Sequence, residues 1–439
     1  MSSLRSRTPP LPSLSRRTQE CLRTRIRRRH IAERRFRFYG FAATFMTLTV
    51  LVLVFVSIVL KAYPAFQENV LSLKITLEPA MIDLKDQRDS QLLVTTDYRE
   101  LVQTAVAELF PEVTDQHDRR LLLKLVSSGA PYALRTLVTQ KNAQIGRNIT
   151  IDVLLSDEAD QFLKGHITTH VQESERKIKD IQITWLQELQ ARGLIHRRFN
   201  ITLFTEGDSR EPELAGLLGA VTGSFYLILV TLSLSFPVGV ASAVYLEEFA
   251  PRNRLTDLIE VNINNLAAVP SVVFGLLGLA IFLNGLGFPR SAPLVGGFVL
   301  SLLILPTIII AARAALKSVP FSIREAALGI GASKMQSVLH HVLPLAMPGI
   351  MTGTILGLAH ALGESAPLLM IGMVAFVVDT PMTLLDPATV LPVQIYLWAE
   401  SPERAFLERT AAAIVVLLGF LIVMTTFAIF IRIKFDRRS

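Results

Sequence analysis

Six stretches of the chain run without a charged residue: 38–60, 214–246, 261–289, 291–312, 335–363 and 410–431. Each reaches the roughly 20 residues that a helix needs to cross a bilayer. The pattern predicts six membrane-spanning helices, the first over 40–60 and the other five within 213–433. Residues 61–212 read differently. Apolar and polar positions alternate over 149–155, as in a half-buried strand, and Val171, Ile178, Ile181, Trp185 and Leu189 recur at helix-like intervals over 167–192. About 150 residues of mixed periodicity are enough to bury a core. The expected fold is an all-α polytopic membrane protein with an α+β domain inserted between its first and second helices.

Charge orients this layout. Residues 1–39 hold twelve arginines against two acids, a balance of +10, whereas 61–213 carries −4 and the remainder +1. The basic excess is therefore a tail beside the first span, and not a surface built to hold nucleic acid. Arginines beside a first span keep that end in the cytoplasm, and the tail is also suited to anionic lipid headgroups. With residues 1–39 inside, six spans return the basic segment 434–439 to the same side, and residues 61–212 lie outside, in the periplasm of a bacterial inner-membrane protein. Arg252, Arg254, Lys317, Arg324 and Lys334 then fall inside, against Arg290, Arg404 and Arg409 outside. The first span is expected to stay as an uncleaved anchor, its apolar run being longer than a usual leader. The single cysteine, Cys21, excludes an internal disulfide and any multi-cysteine metal cluster.

The later spans contain Pro270, Pro306, Pro344, Pro348 and Pro367. Proline frees a backbone carbonyl, which at membrane depth must be satisfied by neighbouring protein or a wet cavity. Several such breaks suit a bundle that encloses a pathway. Between two spans, within 320–344, lies "SIREAALGIGASKMQSVLHHVLP". Ser322 with Glu325 three residues on has the form of a capping box, Ala326 and Ala327 allow close approach of another surface, and Gly329 and Gly331 permit a turn into a second helix. Leu343 and Pro344 set the entrance to the next span. Such a compact elbow on the inner face can dock into a partner and transmit its movement.

The elbow's spacing, Glu325-Ala326-Ala327, three residues, Gly331, nine residues, then His341-Val342-Leu343-Pro344, resembles the coupling loop of ABC-importer permeases, with His341 where that family has isoleucine. "SAVYLEEFAP" (242–251), "AVPSVVFGLLG" (268–278) and "AHALGESAPLLMIG" (359–372) narrow the resemblance to the PstA family, membrane subunits of bacterial phosphate importers. It covers roughly residues 214–433. His360 and Ser365 stand where that family has arginine and threonine, and the domain after the first span is larger than its usual layout. The resemblance implies four kinds of partner: a second permease subunit (PstC), two copies of an ATPase (PstB), a periplasmic phosphate-binding protein (PstS), and membrane lipid. It implies no catalytic residue, metal or cofactor on this chain, ATP and magnesium being held by the ATPase.

Glu364, expected within the fifth span, is costly there at about 2.5–3.5 kcal/mol unless paired or wetted. His360 lies four residues earlier on the same helical face, and Arg313 of span four is a cation within the same bundle. Glu364, His360, Arg313, Ser365 and Asn265 form the expected substrate pathway. Glu364 is read equally well as a pathway carboxylate or as a packing fixture. Two readings compete with phosphate import. One is a permease for another oxyanion, molybdate or sulfate. The other is a membrane receptor that senses through the outer domain, against which stand four further spans and no signalling module after Leu246.

Overall fold

The computed structural model describes residues 16–76, 98–140, 148–167, 172–374 and 376–436. It divides into two units, Met1–Ile58 and Val59–Ser439. The first unit is most of helix α1 (Arg16–Ala62), whose apolar side chains from Phe36 to Val56 stand exposed. A helix apolar on every side with no protein against it is built for lipid.

The second unit opens with a 3-10 turn, Tyr63–Phe66, that feeds β1 (Gln67–Thr76). β1 is the centre of a three-stranded antiparallel sheet, flanked by β2 (Asn148–Leu154) and β3 (Ile195–Phe199). The expected strand at 149–155 is therefore present. Its register sets Leu71 opposite Val153, Leu73 opposite Ile151 and Ile75 opposite Ile149. That face joins helices α2 (Tyr98–Glu108), α3 (Gln116–Leu123), α4 (Ala130–Gln140), α5 (Asp157–Leu163) and α6 (Asp180–Ala191) in one core with Phe110, Leu134, Trp185 and Leu186. The helix expected over 167–192 is shorter, because the Gln182 side chain accepts the Lys179 N–H (3.0 Å) and so closes the N-terminus of α6. Val171 lies outside the described residues, and Ile181 is exposed while Gln182 and Ile183 are buried.

The membrane core follows. α7 (Leu218–Val244) runs on through a π-helical turn, Tyr245–Phe249. α8 (Arg254–Ala267) and α9 (Ser271–Gly278), the latter prolonged to Gly285, meet at a bend of 100°. Pro270 sits at this break, as proline disfavours helix at the residue before it. α10 (Pro293–Ser318), α11 (Phe321–Gly329), α12 (Lys334–Ser337), α13 (Leu343–Gly363), α14 (Ala366–Met370), α15 (Leu391–Ala399) and α16 (Ala405–Asp436) complete the chain. Five described helices are long and apolar enough to span, and the bent α8–α9 pair makes a sixth.

Small residues set how these helices pack. Gly349, Gly353 and Gly357 form a stripe along α13 that faces α10. A Cβ at Gly353 would fall 2.1 Å from the Ala311 Cβ, and one at Gly349 2.7 Å from the Ala315 Cβ. This spacing lets two backbones approach closely where no water drives association, and it fixes the antiparallel register of α10 on α13. α7 meets the outer domain at its start, where Leu217 N–H donates to Leu203 O (2.8 Å). Its length then carries the chain about 40 Å to Val244, so the outer domain and the elbow at 320–344 lie at opposite ends.

Candidate functional site: an exposed elbow and two helix breaks

The elbow is two short helices. α11 begins at Phe321 with Pro320 in the cap position (φ −55°, ψ 138°, outside the helical region), so Ser322 lies inside the first turn and does not cap it. The expected capping box occurs one helix later. Gln336 N–H donates to Ser333 Oγ (3.3 Å), and Ser333 N–H donates to Gln336 Oε1 (2.9 Å), opening α12. Gly331 has φ +91° between them, with Ala332 N–H donating to Ala327 O (3.1 Å). A left-handed residue closing a helix in this way is the glycine C-terminal motif, and it makes Gly331 the pivot of the elbow. Ala327 is buried, Glu325 and Ala326 are exposed, and Pro344 follows a π-helical turn, Val338–Val342, through which α12 runs on into α13 as one helix. Phe321, Leu328, Ile330 and Met335 stand largely exposed on the elbow, Ile330 at 83%.

The π-helical turn that ends α7 ties this elbow to the bundle. Glu248 takes a two-pronged bond from Arg324 of α11, with Nη2–Oε1 at 2.6 Å and Nε–Oε1 at 3.0 Å. The same guanidinium donates to Val319 O (2.8 Å) and Leu316 O (3.0 Å) at the end of α10. Glu247 meets Arg313 (3.4 Å) and Lys317 (3.6 Å) of α10, and Lys334 of α12 lies 5.2 Å from the centre of the Phe249 ring. One five-residue turn thus holds span two, span four and both elbow helices. Fork geometry suits arginine to such a joint better than lysine.

The pathway residues separate into two groups. Arg313 pairs with Glu247 and, at 2.5 Å, with Glu260 of α8, not with Glu364. The glycine stripe explains this, since it sets Arg313 beside residues near 351, about 20 Å along the helix from Glu364. Glu364 does not lie within a continuous helix. It is the C-cap of α13, where the chain breaks before α14, and its Oε1 is 3.3 Å from His360 Nε2. Ser365 turns the backbone there, its carbonyl accepting from Leu368 and Leu369 N–H (3.0 and 2.9 Å). α14 then packs on α9, where a Cβ on Gly275 would lie 2.7 Å from the Pro367 Cα. The break at Pro367 therefore lies against Gly275 of α9, five residues after the break at Pro270. Asn265 is exposed on α8, as are Asn262 and Asn264, and Asn262 bonds the Leu258 carbonyl of its own helix (2.8 Å).

A third cluster, for which the sequence carries no motif, joins the outer domain to the head of α16. Lys164 lies between Asp160 (2.6 Å) and Glu408 (3.4 Å), and His166 also meets Glu408. Arg409, 7% exposed, donates to Ala215 O. Glu68 and Glu213 are buried nearby, and Arg198 binds Glu68 at 2.6 Å. Burial pushes the Glu68 and Glu213 carboxyls up, and it raises Asp157 to about 7 together with the charges of Glu158, Glu213 and Asp160. The one signal in the sequence is the adjacent pair Glu408-Arg409 heading an uncharged run.

Broken spans with an exposed elbow at one end are the layout expected of a membrane transport subunit. Residues 235–438 match the family described as binding-protein-dependent transport system inner membrane component, and residues 23–173 match a domain of unknown function, DUF3333. The chain is 32% identical over 193 residues to the probable ABC transporter permease protein YqgI of Bacillus subtilis, covering 41% of this chain and 65% of that protein. It is 32% identical over 223 residues to the phosphate transport system permease protein PstA 1 of Mycobacterium tuberculosis, covering 51% and 72%. Over 203 residues it is 31% identical to PstA of Haemophilus influenzae, covering 46% and 71%. The chain belongs to the PstA-related permease subunits of ABC importers, with an added N-terminal domain, and is a multi-pass inner-membrane protein.

Proposed function

We propose that this subunit imports inorganic phosphate and that the α11–α12 elbow couples it to ATP hydrolysis by a separate ATPase. The observation that carries the reading is the elbow itself. Its outer surface offers Phe321, Leu328, Ile330 and Met335 to a partner, while Arg324 anchors its inner side to Glu248. A push on α11 is passed through that pair to α7 and, through Glu247 and Arg313, to α10 and α8. Glu325, Ala326 and Gly331 serve docking and pivoting, and Leu343 and Pro344 pass the motion to α13.

The partners that complete the machine are two copies of the ATPase PstB, which carry the ATP and magnesium, the phosphate-binding protein PstS outside, and PstC as the second permease subunit. α8 has no buried residue and exposes Leu255, Leu258, Val261 and Leu266, a face suited to a second permease. Phosphate passes the break between α13 and α14, where His360 and Glu364 form the polar pair. Phosphate is favoured over sulfate or molybdate because two of the relatives above are named phosphate permeases.

Reconstitution with the ATPase, second permease and binding protein tests both halves. Labelled phosphate is expected to accumulate with ATP, and Gly331→Trp is expected to reduce uptake to background while insertion is unchanged. Full uptake by that variant removes the elbow from coupling. Uptake of molybdate or sulfate in preference to phosphate overturns the substrate.

A further inference from the structure

Six large apolar side chains are exposed among the described residues of 63–217: Tyr63, Tyr132, Ile181, Phe199, Ile201 and Phe204. Four of the six form one patch. Phe204 stacks on Phe199 (5.9 Å between ring centres) and on Phe66 (6.1 Å), in near-parallel planes. Ile201 lies between Phe199 and Phe204 in sequence and is 60% exposed, and Tyr63 lies one 3-10 turn before Phe66. The backbone closes the patch, since Asn200 N–H donates to Phe66 O and the Asn200 side chain donates to Ala65 O, both 2.9 Å.

The position of this patch decides its partner. Ala62, the last residue of α1, is buried in one cluster with Leu203, Leu217, Ala220, Phe406 and Ala412, so the ends of three spans meet beneath it. Leu218 N–H, at the start of α7, donates to Glu206 O, two residues from Phe204. The aromatic side chains are therefore held at the level where the spans leave the hydrocarbon, not out among the solvated loops. Rings at that level are favoured because an apolar body meets the acyl chains while the headgroups remain in reach of polar neighbours. Lys61, exposed beside Tyr63, supplies such a neighbour.

We infer that Tyr63, Phe199, Ile201 and Phe204 form a membrane-resting foot by which the outer domain sits in the outer-leaflet interface of the bilayer. Stacking fixes the rings beforehand, so little side-chain freedom is lost on insertion. A protein partner on the same patch is the rival occupant, and the test separates the two.

Cys21 is the only cysteine, so Cys21→Ser allows one label per molecule. Spin labels on Ile201→Cys, Phe204→Cys and Tyr132→Cys would be read in the full-length protein, in vesicles of phosphatidylethanolamine and phosphatidylglycerol. Oxygen, which partitions into lipid, is expected to relax the labels at 201 and 204 more than a water-soluble nickel chelate does. The order should invert at 132, which is 71% exposed elsewhere on the domain. Nickel dominating at 201 overturns the foot. So does a label at 201 that is shielded from both relaxants in the assembled transporter and released when the other subunits are left out. Because Ile201 is not part of the aromatic stack, its variant keeps the test open if Phe204→Cys fails to fold.

Discussion

Two charge networks lie at opposite ends of α7, and they are built on different principles. At the inner end, Glu247, Glu248 and Glu260 face Arg313, Lys317 and Arg324, acid matched to base. At the outer end, Glu68, Asp157, Asp160, Glu213 and Glu408 outnumber Lys164, Arg198 and Arg409. The inner set is graded, from Glu248 at 8% side-chain exposure to Lys317 at 59%, and its members lie on four different helices. The outer set is largely buried, and the described structure leaves Glu68 Oε2 and Glu213 Oε2 without hydrogen-bond partners. Balanced, partly solvated pairs cost little to break and reform, which suits a joint that moves. Buried charges with an acidic excess cost much to disturb, and the excess is relieved by holding protons. On the proposed coupling the inner network serves as a hinge, whereas the outer one clamps the added domain to α16.

The largest effect is expected at the clamp. Arg409→Leu removes a buried cation, leaves Ala215 O unpaired and takes positive charge away from Glu213 and Glu68. Breaking a buried ionic group in this way costs about 3–5 kcal/mol, so the thermal midpoint in detergent should fall steeply. Glu213→Gln is expected to change it far less, because burial raises that carboxyl's pKa and so lessens the cost of losing its charge. Equal, small shifts for both variants would show that the cluster is wet and not a clamp.

The hinge is expected to answer differently. Glu248→Ala or Arg324→Ala should cost about 1–3 kcal/mol in stability, since the pair, at 8% and 15% side-chain exposure, is mostly buried. Uptake in the reconstituted system should nevertheless be lost, since α11 would no longer pull on α7. The reversed pair, Glu248→Arg with Arg324→Glu, should restore part of it. Uptake at the normal rate in the single variants would make this pair an ordinary surface bond and return coupling to the apolar contacts alone.

How much of the molecule is legible in its sequence follows from the range of each interaction. The spans are legible because the bilayer imposes length and the absence of charge on a single continuous segment, and the elbow is legible because Gly331 and the alanines act locally. Pro270 and Pro367 announce breaks for the same reason. Arg313 and Glu364 share apolar surroundings, which suggests a common pathway, yet the partners of Arg313 are 66 and 53 residues earlier, at a depth that only the register of α10 on α13 determines. That register is itself encoded in the four-residue spacing of Gly349, Gly353 and Gly357, a local pattern whose facing helix is not local. Ser322 carries the right motif two residues past the cap position, since Pro320 holds that position and the helix starts at Phe321. The clamp joins residues 68, 160, 213 and 408, and no local pattern connects segments so far apart.

The sharpest test of the clamp is a pH dependence. Asp157 is pushed from its ordinary 3.8 up to about 7, by burial first and then by Glu158, Glu213 and Asp160. Between those two values the folded chain keeps a proton that the unfolded chain has released, so each rise in pH favours unfolding. Stability contributed by this group is full below about 4, falls through the window and levels off above about 7, with a slope that approaches 1.4 kcal/mol per pH unit at most. Asp157→Asn removes the titration while keeping the shape. The difference between the unfolding midpoints of the two proteins should therefore widen as pH rises from about 4.5 to about 7.5, with the variant the more stable at the upper end. Other groups titrate in both proteins and cancel in that difference. A constant difference across the window would mean that Asp157 is ionised throughout in the folded protein. The acidic excess would then have to be neutralised by solvent, and the contrast between a dry clamp and a wet hinge would fail at that point.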